Sequence, residues 1–315
     1  MRWAFAFAVL LLSVEARAQD IALPRRQPAP LVLPELTHPR NDVGLTWNVG
    51  RGTNAVEGQP NAALGLARFA IEGRLVEKRR FYAGITYDYA AALPPDGGAD
   101  LDAPGSAPNS KGLKSAFGNA EAHVRAAFPL SPGLVSGFEL GAVFPTATID
   151  RNGAARSAML AASSLLPTDY VHFLPGRMAL RPAGDLRIVR GPFVFQARQG
   201  FDIMFDVTGH ERVRTAGRIL AHLGVMPTPD VELSVEASQI YFFFTEDPPN
   251  PPNPAVERYR ISDDRRTAFT VGPALRVSFT NLDIGAGVVT NLFDPLSPAL
   301  GSLLALRLSL IAHLR

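Results

Sequence analysis

Residues 193–206 read Phe193-Val194-Phe195-Gln196-Ala197-Arg198-Gln199-Gly200-Phe201-Asp202-Ile203-Met204-Phe205-Asp206. Successive side chains of an extended strand point to opposite faces. One face of this stretch carries Phe193, Phe195, Ala197, Phe201, Ile203 and Phe205, broken only by Gln199. The other carries Val194, Gln196, Arg198, Gly200, Asp202, Met204 and Asp206. A soluble sandwich can contain one such strand. Here the pattern recurs about a dozen times behind an N-terminal export signal, which predicts a closed barrel with lipid outside and charge inside.

Working outward, the same alternation predicts twelve strands, near 43–51, 63–76, 79–93, 115–129, 134–147, 175–189, 191–206, 211–226, 230–246, 265–279, 281–294 and 298–314. Nearly all reach the length of about 9–11 residues that a tilted strand needs to cross hydrocarbon. In 115–129, Asn119, Glu121, His123 and Arg125 alternate with Ala120, Ala122, Val124, Ala126 and Phe128. In 211–226, Arg212, Arg214, Arg218 and His222 alternate with Val213, Ile219, Ala221, Leu223 and Val225. A helical period would mix leucine with charge on these stretches, so helices are rejected there.

Loop lengths segregate. Counted from the N-terminus, the even-to-odd connections are short: Glu77-Lys78, 130–133, Arg190-Gly191, 227–229 and Thr280-Asn281. The long connections, 94–114, 148–174 and 247–264, are all odd-to-even. Up-and-down topology puts the short turns at one end and the long loops at the other, as in outer-membrane barrels with periplasmic turns and extracellular loops. Aromatic residues gather near both ends, with Phe81, Phe128, Phe193, Phe195 and Phe279 toward the short turns. Trp47, Phe144, Phe205, Tyr241, Phe243 and Phe293 lie toward the long loops, which matches the aromatic girdles of a membrane barrel.

The address agrees. Arg2 precedes an apolar core, Trp3 to Leu12, and Ala16-Arg17-Ala18 offers small residues for cleavage, so residues 1–18 are read as a signal peptide. About ten apolar residues are too few to span a bilayer as a helix. Of the 315 residues none is cysteine, which excludes a disulfide framework and thiolate chemistry. The formal charge of +2 names no partner, and no basic tail or interleaved aromatic patch suits nucleic acid. The expected domains are residues 1–18, a proline-rich leader at 19–42 and an all-β, transmembrane up-and-down antiparallel barrel at 43–315.

The leader holds Pro24, Pro28, Pro30, Pro34 and Pro39 and lacks alternation. Proline supplies no ladder donor, so the leader is an extended segment in the periplasm or a small plug in the lumen. Projecting the alternation inward gives lumen-lining candidates Arg68, Arg74, Arg125, Arg187, Arg198, Asp202, Arg212, Arg214, Arg218, Glu232, Glu236, Arg276 and Arg307. Arg80, Arg181, Glu72, Asp88, Glu121, Glu139, Asp185, Asp206 and Asp283 fall on the same face. Charges in a low-dielectric interior pair with each other or face water. These groups are therefore cross-strand ion pairs or a lined path for solutes, and the arginines predict a modest preference for anions. In the loop 148–174, residues 158–166 are largely apolar and read as a short helix that packs over the mouth or captures a hydrophobic substrate. Asp96, Asp100 and Asp102 match no complete calcium motif and read as a solvated loop. No cofactor or metal is expected.

Gly118-Asn119-Ala120-Glu121 opens a strand that returns through Glu139-Leu140 to Phe144-Pro145-Thr146-Ala147-Thr148. Residues 117–148 thereby resemble the outer-membrane barrels of the phenol-degradation meta-pathway transporter family, with Asn119 for the usual Asp and Ala147 for the usual Gly. The resemblance implies passage of small aromatic or hydrophobic solutes. The wider likeness to bacterial outer-membrane barrels implies a final aromatic residue that assists assembly, whereas this chain ends Ala312-His313-Leu314-Arg315. The expected partners are outer-membrane lipids, the barrel-assembly machinery and a small solute, in a Gram-negative outer membrane.

The reading is a channel for passive uptake of small solutes. The alternatives are a structural or adhesive barrel without an open pore, and an outer-membrane lipid hydrolase. A hydrolase needs a hydroxyl, a histidine and an orienting acid in hydrogen-bond reach. His172 and His210, with Ser163, Ser164 and Thr208 as neighbours, are the candidates, but none of the six histidines projects onto the lipid face and no Gly-x-Ser-x-Gly elbow is present.

Overall fold

The computed structural model describes residues 31, 33–34, 36, 41–54, 62–75, 81–93, 113–147, 162–207, 213–244, 266–293 and 300–314. The strands are β1 (Asn41–Asn54), β2 (Ala62–Arg74), β3 (Phe81–Leu93), β4 (Lys114–Phe117), β5 (Ala120–Ser131), β6 (Leu134–Phe144), β7 (Arg177–Arg190), β8 (Phe193–Asp206), β9 (Arg214–Thr228), β10 (Val231–Phe242), β11 (Thr267–Ser278), β12 (Leu282–Asn291) and β13 (Leu300–Leu314). Each pairs antiparallel with its neighbours, and β1 pairs with both β2 and β13, Asn41 opposite Leu314. The wall is thus closed, the condition for a sheet in hydrocarbon, and among the described residues only the short β4 is paired on one side alone. At the short-turn end, Gly133 and Gly191 take φ of 79° and 59°, left-handed values that only glycine reaches without strain.

The expected single strand 115–129 is two pieces of one stave. Both pair with β3, through Tyr89 opposite Phe117 and Thr86 opposite Glu121. The ladder breaks at Gly118 and Asn119, whose amides turn aside to the carbonyls of Asp88 and His172. Counting β4 and β5 together gives the twelve staves expected. Four prolines sit inside staves, and each coincides with a gap or register shift in a ladder; Pro129 and Pro227 lie at shifts near the short turns. Pairing of β7 with β8 skips from Leu180–Ile203 to Ala183–Gly200 around Pro182. Pairing of β11 with β12 skips from Val271–Thr290 to Ala274–Gly287 around Pro273. A residue without an N–H is tolerated where the ladder is already irregular.

The faces are inverted relative to a water-soluble barrel. Phe193 is 59% exposed and Leu223 61%, whereas Arg187 and Asp202 are 0% exposed. In β8 the face bearing Phe193, Phe195, Phe201 and Phe205 points outward, and Val194, Gln196, Arg198, Asp202 and Met204 are buried in the lumen. Trp47, Phe144, Phe205, Tyr241, Phe243 and Phe293 are all exposed on the outside.

The interior is layered along the barrel axis. In β2 the inward residues run Ala62, Leu64, Leu66 and then Arg68 and Glu72; in β3 they run Asp88, Ala90 and Ala92. Charge therefore fills the middle, while the long-loop half is lined by alanine, leucine and valine, and a smaller apolar cluster with Ala127 and Val135 lies near the short turns. The uniformly polar lumen expected from the alternation holds only in the middle layer.

The leader alternatives meet four described residues. The Leu31 amide donates to Glu236 Oε1 at 2.6 Å, and the Pro34 carbonyl accepts from Gln196 Nε2 at 2.9 Å. Leu36 is buried against Ala127 and Val135. Leu31 fills a notch left by two glycines on β12: a Cβ at Gly285 or Gly287 would lie 2.1 or 3.2 Å from a Leu31 methyl. The five Cα–Cα steps from Leu31 to Leu36 can extend to about 17 Å. Their contacts run from β10 and β12 to β5 and β6, on the opposite side of the barrel.

Gly272→Ala tests the close approach of β11 and β12. An added Cβ would lie 1.6 Å from the Val288 carbonyl oxygen, a backbone atom that cannot swing aside. The expected loss is about 1–3 kcal/mol of barrel stability, seen as a lower temperature for conversion of the compact, heat-modifiable gel band. An unchanged transition would refute the approach.

Candidate functional site

The connection from β6 to β7 does not stay outside the barrel. After a turn at Ala162–Leu166, a short 3₁₀ helix, Pro167–Phe173, lies wholly buried in the lumen. Proline suits its first turn, where an N–H would have no helical partner. Ala162, Leu165, Leu166 and Phe173 pack on Leu64, Leu66, Ala90, Val289 and Leu303. Tyr170 and Val171 pack on Val143, Met204, Ala216, Ile240 and Phe242. The Tyr170 ring meets Phe242 edge-on at 5.0 Å. Residues 162–166 of the apolar stretch are thus covered from within, by the apolar layer of the wall, and 158–161 lie outside the described residues.

Below these contacts the helix carries two charges into the charged layer. Asp169 Oδ2 lies 2.7 Å from Arg68 Nη1. Arg68 grips Asp88 with two hydrogen bonds of 2.8 and 2.6 Å. His172 Nδ1 lies 2.6 Å from Asp88 Oδ2, and its Nε2 lies 2.8 Å from Glu121 Oε2. Arg181 donates to both Glu121 and Asp169, which closes the circuit. Six charges alternate in sign around a ring, two from the inserted helix and four from β2, β3, β5 and β7. Arg181 also reaches Asp202 at 2.9 Å and the Thr168 carbonyl at 2.9 Å, and Arg218 meets Asp202 at 2.7 Å.

With carboxylates on both ring nitrogens, His172 donates from both and is an imidazolium. Its 3.0 Å approach to Arg181 Nη1 joins two donors that converge on Glu121. Burial opposes the charge, but the Asp88 carboxylate and the hydrogen bonds to Asp88 and Glu121 raise His172 to about 9. Burial likewise opposes the Asp169 carboxylate, yet Arg68 and Arg181 hold it well below the usual carboxylate range.

The segments that carried the family resemblance form the clamp of this helix. Asn119 Nδ2 donates to the Val171 and Leu174 carbonyls at 3.1 and 2.7 Å, while its Oδ1 accepts from the Ala147 amide at 2.8 Å. Thr146 Oγ1 accepts from the Ala120 amide at 2.8 Å. The departure at 119 has a physical consequence: an amide both donates and accepts, and an ionised aspartate only accepts.

The remaining candidates scatter around the ring. Arg198 makes two hydrogen bonds to Asp185 and two to Glu139, between 2.8 and 3.0 Å. Arg125 donates to Glu72, and Arg187 to Gln196 at 2.8 Å. Glu232 contacts His222, and Arg307 reaches Asn48 at 2.7 Å with Glu236 at 3.7 Å. Arg276 lies 3.9 Å from Asp283. Arg74 is exposed at the short-turn rim, and Arg214 sits at the opposite rim with its guanidinium 5.0 Å from the Phe244 ring. Arg212, His210, Thr208 and the aspartates of 94–114 lie outside the described residues. The arginines within the barrel face carboxylates at nearly every turn, so the basis for anion preference is weak. Sequence reasoning gave Asp169 no role and placed His172 in an outer loop. The only signal for either was an apolar stretch in need of cover.

Between the helix and the leader residues lies a cavity of about 240 Å³. Leu31, Leu33 and Pro34 line it on one side and Leu166, Thr168 and Asp169 on another, with Arg68, Arg125, Arg218 and Arg307 on the wall.

This architecture is that of a transmembrane up-and-down β-barrel. The chain is similar in structure to an outer-membrane channel of Pseudomonas putida F1, with a TM-score of 0.55 at 10% identity over 93% of this chain and 100% of that one. It is also similar to the NanC porin, with a TM-score of 0.50 at 9% identity over 86% of this chain and 100% of the porin. No protein-family model matches the chain, and no curated protein matches it in sequence. The structural likeness agrees with the resemblance of residues 117–148 to a family of outer-membrane barrels.

Two predictions follow from the ring and its clamp. The folded value of His172 is raised, so its contribution is full below about 6.5 and is lost as pH rises through about 9. Protease cleavage within 162–173 in detergent should increase across that window. The increase should be absent in His172→Gln, which is cleaved at every pH; a flat wild-type profile would contradict the ring. Asn119→Asp removes two donors and should loosen the helix by about 1–3 kcal/mol, with faster cleavage there and an intact heat-modifiable barrel.

Proposed function

We propose that the protein is a channel for passive movement of small apolar or aromatic solutes across a Gram-negative outer membrane, and that its own chain holds the lumen shut. The observation that carries this reading is the inserted helix. It fills the barrel through reversible contacts, six charges and two apolar clusters, around a cavity that already exists beneath it. The apolar layer through Leu64, Leu66, Ala90 and Val289 supports apolar solutes. The likeness to a channel and a porin supports passage rather than catalysis. Export behind residues 1–18, residence among outer-membrane lipids and insertion by the barrel-assembly machinery belong to the same proposal. The row of Leu304, Leu306, Leu308 and Leu310 on the outside of β13 suits that lipid.

The reading gives no hydrolytic role to Ser163 or Ser164. His172 commits both ring nitrogens to carboxylates and has no lone pair with which to take a hydroxyl proton. A barrel without an open pore is the second reading, favoured by the filling of the lumen from two sides.

Planar-bilayer recording separates the two. The refolded chain should show infrequent conductance steps, and a chain lacking residues 19–36 should show larger or more frequent ones. Selectivity between anions and cations should be weak, because the lumen arginines are paired. Absence of steps from both proteins at every voltage would overturn the channel in favour of the closed barrel.

A further inference from the structure

The inserted helix offers the wall a particular combination of groups. Asp169 brings one negative charge to Arg68 and Arg181, and His172 brings one positive charge to Asp88 and Glu121. Leu165, Leu166, Tyr170 and Phe173 bring apolar bulk to the layer above. Without the helix, the wall of the ring holds two arginines and two carboxylates and is neutral. It keeps the pairs Arg68–Asp88 and Arg181–Glu121, with one face of each pair opened to the lumen. Among the described residues, Arg218 Nη2 is buried without a hydrogen-bond partner beside the same cavity. Arg218 is 4% exposed, and Gly200 leaves it room: a Cβ there would lie 3.1 Å from that nitrogen. A donor left over in a buried site marks a place for an acceptor.

We propose that residues 165–173 hold the place of the solute, and that the space they fill is a binding site for an apolar molecule carrying both a carboxylate and a cationic nitrogen. An amino acid with a large apolar side chain has this chemistry. The carboxylate lies between Arg68 and Arg181, as the Asp169 carboxylate does, but shifted toward Arg218 Nη2, a donor that Asp169 leaves unused. The cationic nitrogen takes the position of the His172 ring, between Asp88 and Glu121. The apolar body lies where Leu166 and Phe173 lie. A singly charged apolar molecule leaves one of the two opened pairs without a replacement, and buried charged groups left unmatched weaken binding. The inference rests on the channel reading for its biological use, since the helix yields to a solute only if solutes enter the barrel.

The test is equilibrium binding in detergent, by calorimetry, of phenylalanine, 3-phenylpropanoate and phenethylamine. The proteins are the full chain and its Asp169→Asn/His172→Gln double variant, in which the helix no longer offers its two charges to the ring. Phenylalanine should bind the double variant at least about ten-fold more tightly than either singly charged analogue. The native chain should show the same order with weaker affinity. Glu121→Gln should reduce the advantage of phenylalanine over 3-phenylpropanoate. Equal affinities for the three probes, or tightest binding of either singly charged one, in both the native chain and the double variant would overturn the proposal. Because binding is read without a membrane, a silent bilayer with the expected binding order would sink the channel and leave the site standing. Conductance without that order would do the reverse.

Discussion

Hydrocarbon offers no partner to a peptide group, and that constraint governs the rest of this molecule. Every strand must find both neighbours, so the sheet closes, and β1 meets β13 along its whole length. Closure divides the side chains of each strand between lipid and lumen without an intermediate. Arginine and aspartate cannot face lipid, so the alternation sends them inward. Inside, where most of them are buried, they must neutralise one another. The cross-strand pairs of Arg68 with Asp88 and of Arg198 with Asp185 are what a closed sheet with a charged inner face requires.

Buried ion pairs are weak evidence for stability, since well-packed apolar groups often serve as well or better. Their value here lies in position. The ring through Asp169, Arg68, Asp88, His172, Glu121 and Arg181 fixes one placement of the inserted helix, because a shift along the axis would set like charges together. Asn119 adds a backbone clamp at the point where the stave breaks, so the break between β4 and β5 and the placement of the helix have one cause.

What was legible in the sequence was local. A period of two is carried by neighbouring residues, so the faces of β8 and β9 and the ends of most strands were readable without the fold. The pair Arg68–Asp88 lies within one hairpin and is half readable from register. The contact between Arg181 and Glu121 spans 60 residues and two intervening turns, and no pattern announces it. Asp169 and His172 were missed because a loop has no alternation from which to project a face. The apolar layer was missed for a related reason: where Ala63, Gly65 and Ala67 alternate with Leu64 and Leu66, both faces look alike. In the leader, the notch at Gly285 and Gly287 exists only once β12 stands opposite Leu31. The rim positions of Arg74 and Arg214 follow from where β2 and β9 end, which alternation does not specify.

The two layers of contact oppose withdrawal of the helix unequally. When water follows the helix out, Arg68 keeps Asp88 and Arg181 keeps Glu121, and the opened faces are hydrated, so the ionic layer yields at modest cost. The apolar layer has no such recourse. Leu165, Leu166, Tyr170, Val171 and Phe173 and the wall beneath them would lose burial on the order of 1.5–3 kcal/mol for each large side chain. An apolar molecule that takes over the wall removes much of that penalty, and water or a small ion does not. The charges therefore set where the helix sits, and the apolar layer sets what can move it. In the channel proposed above, that layering makes opening depend on an apolar solute.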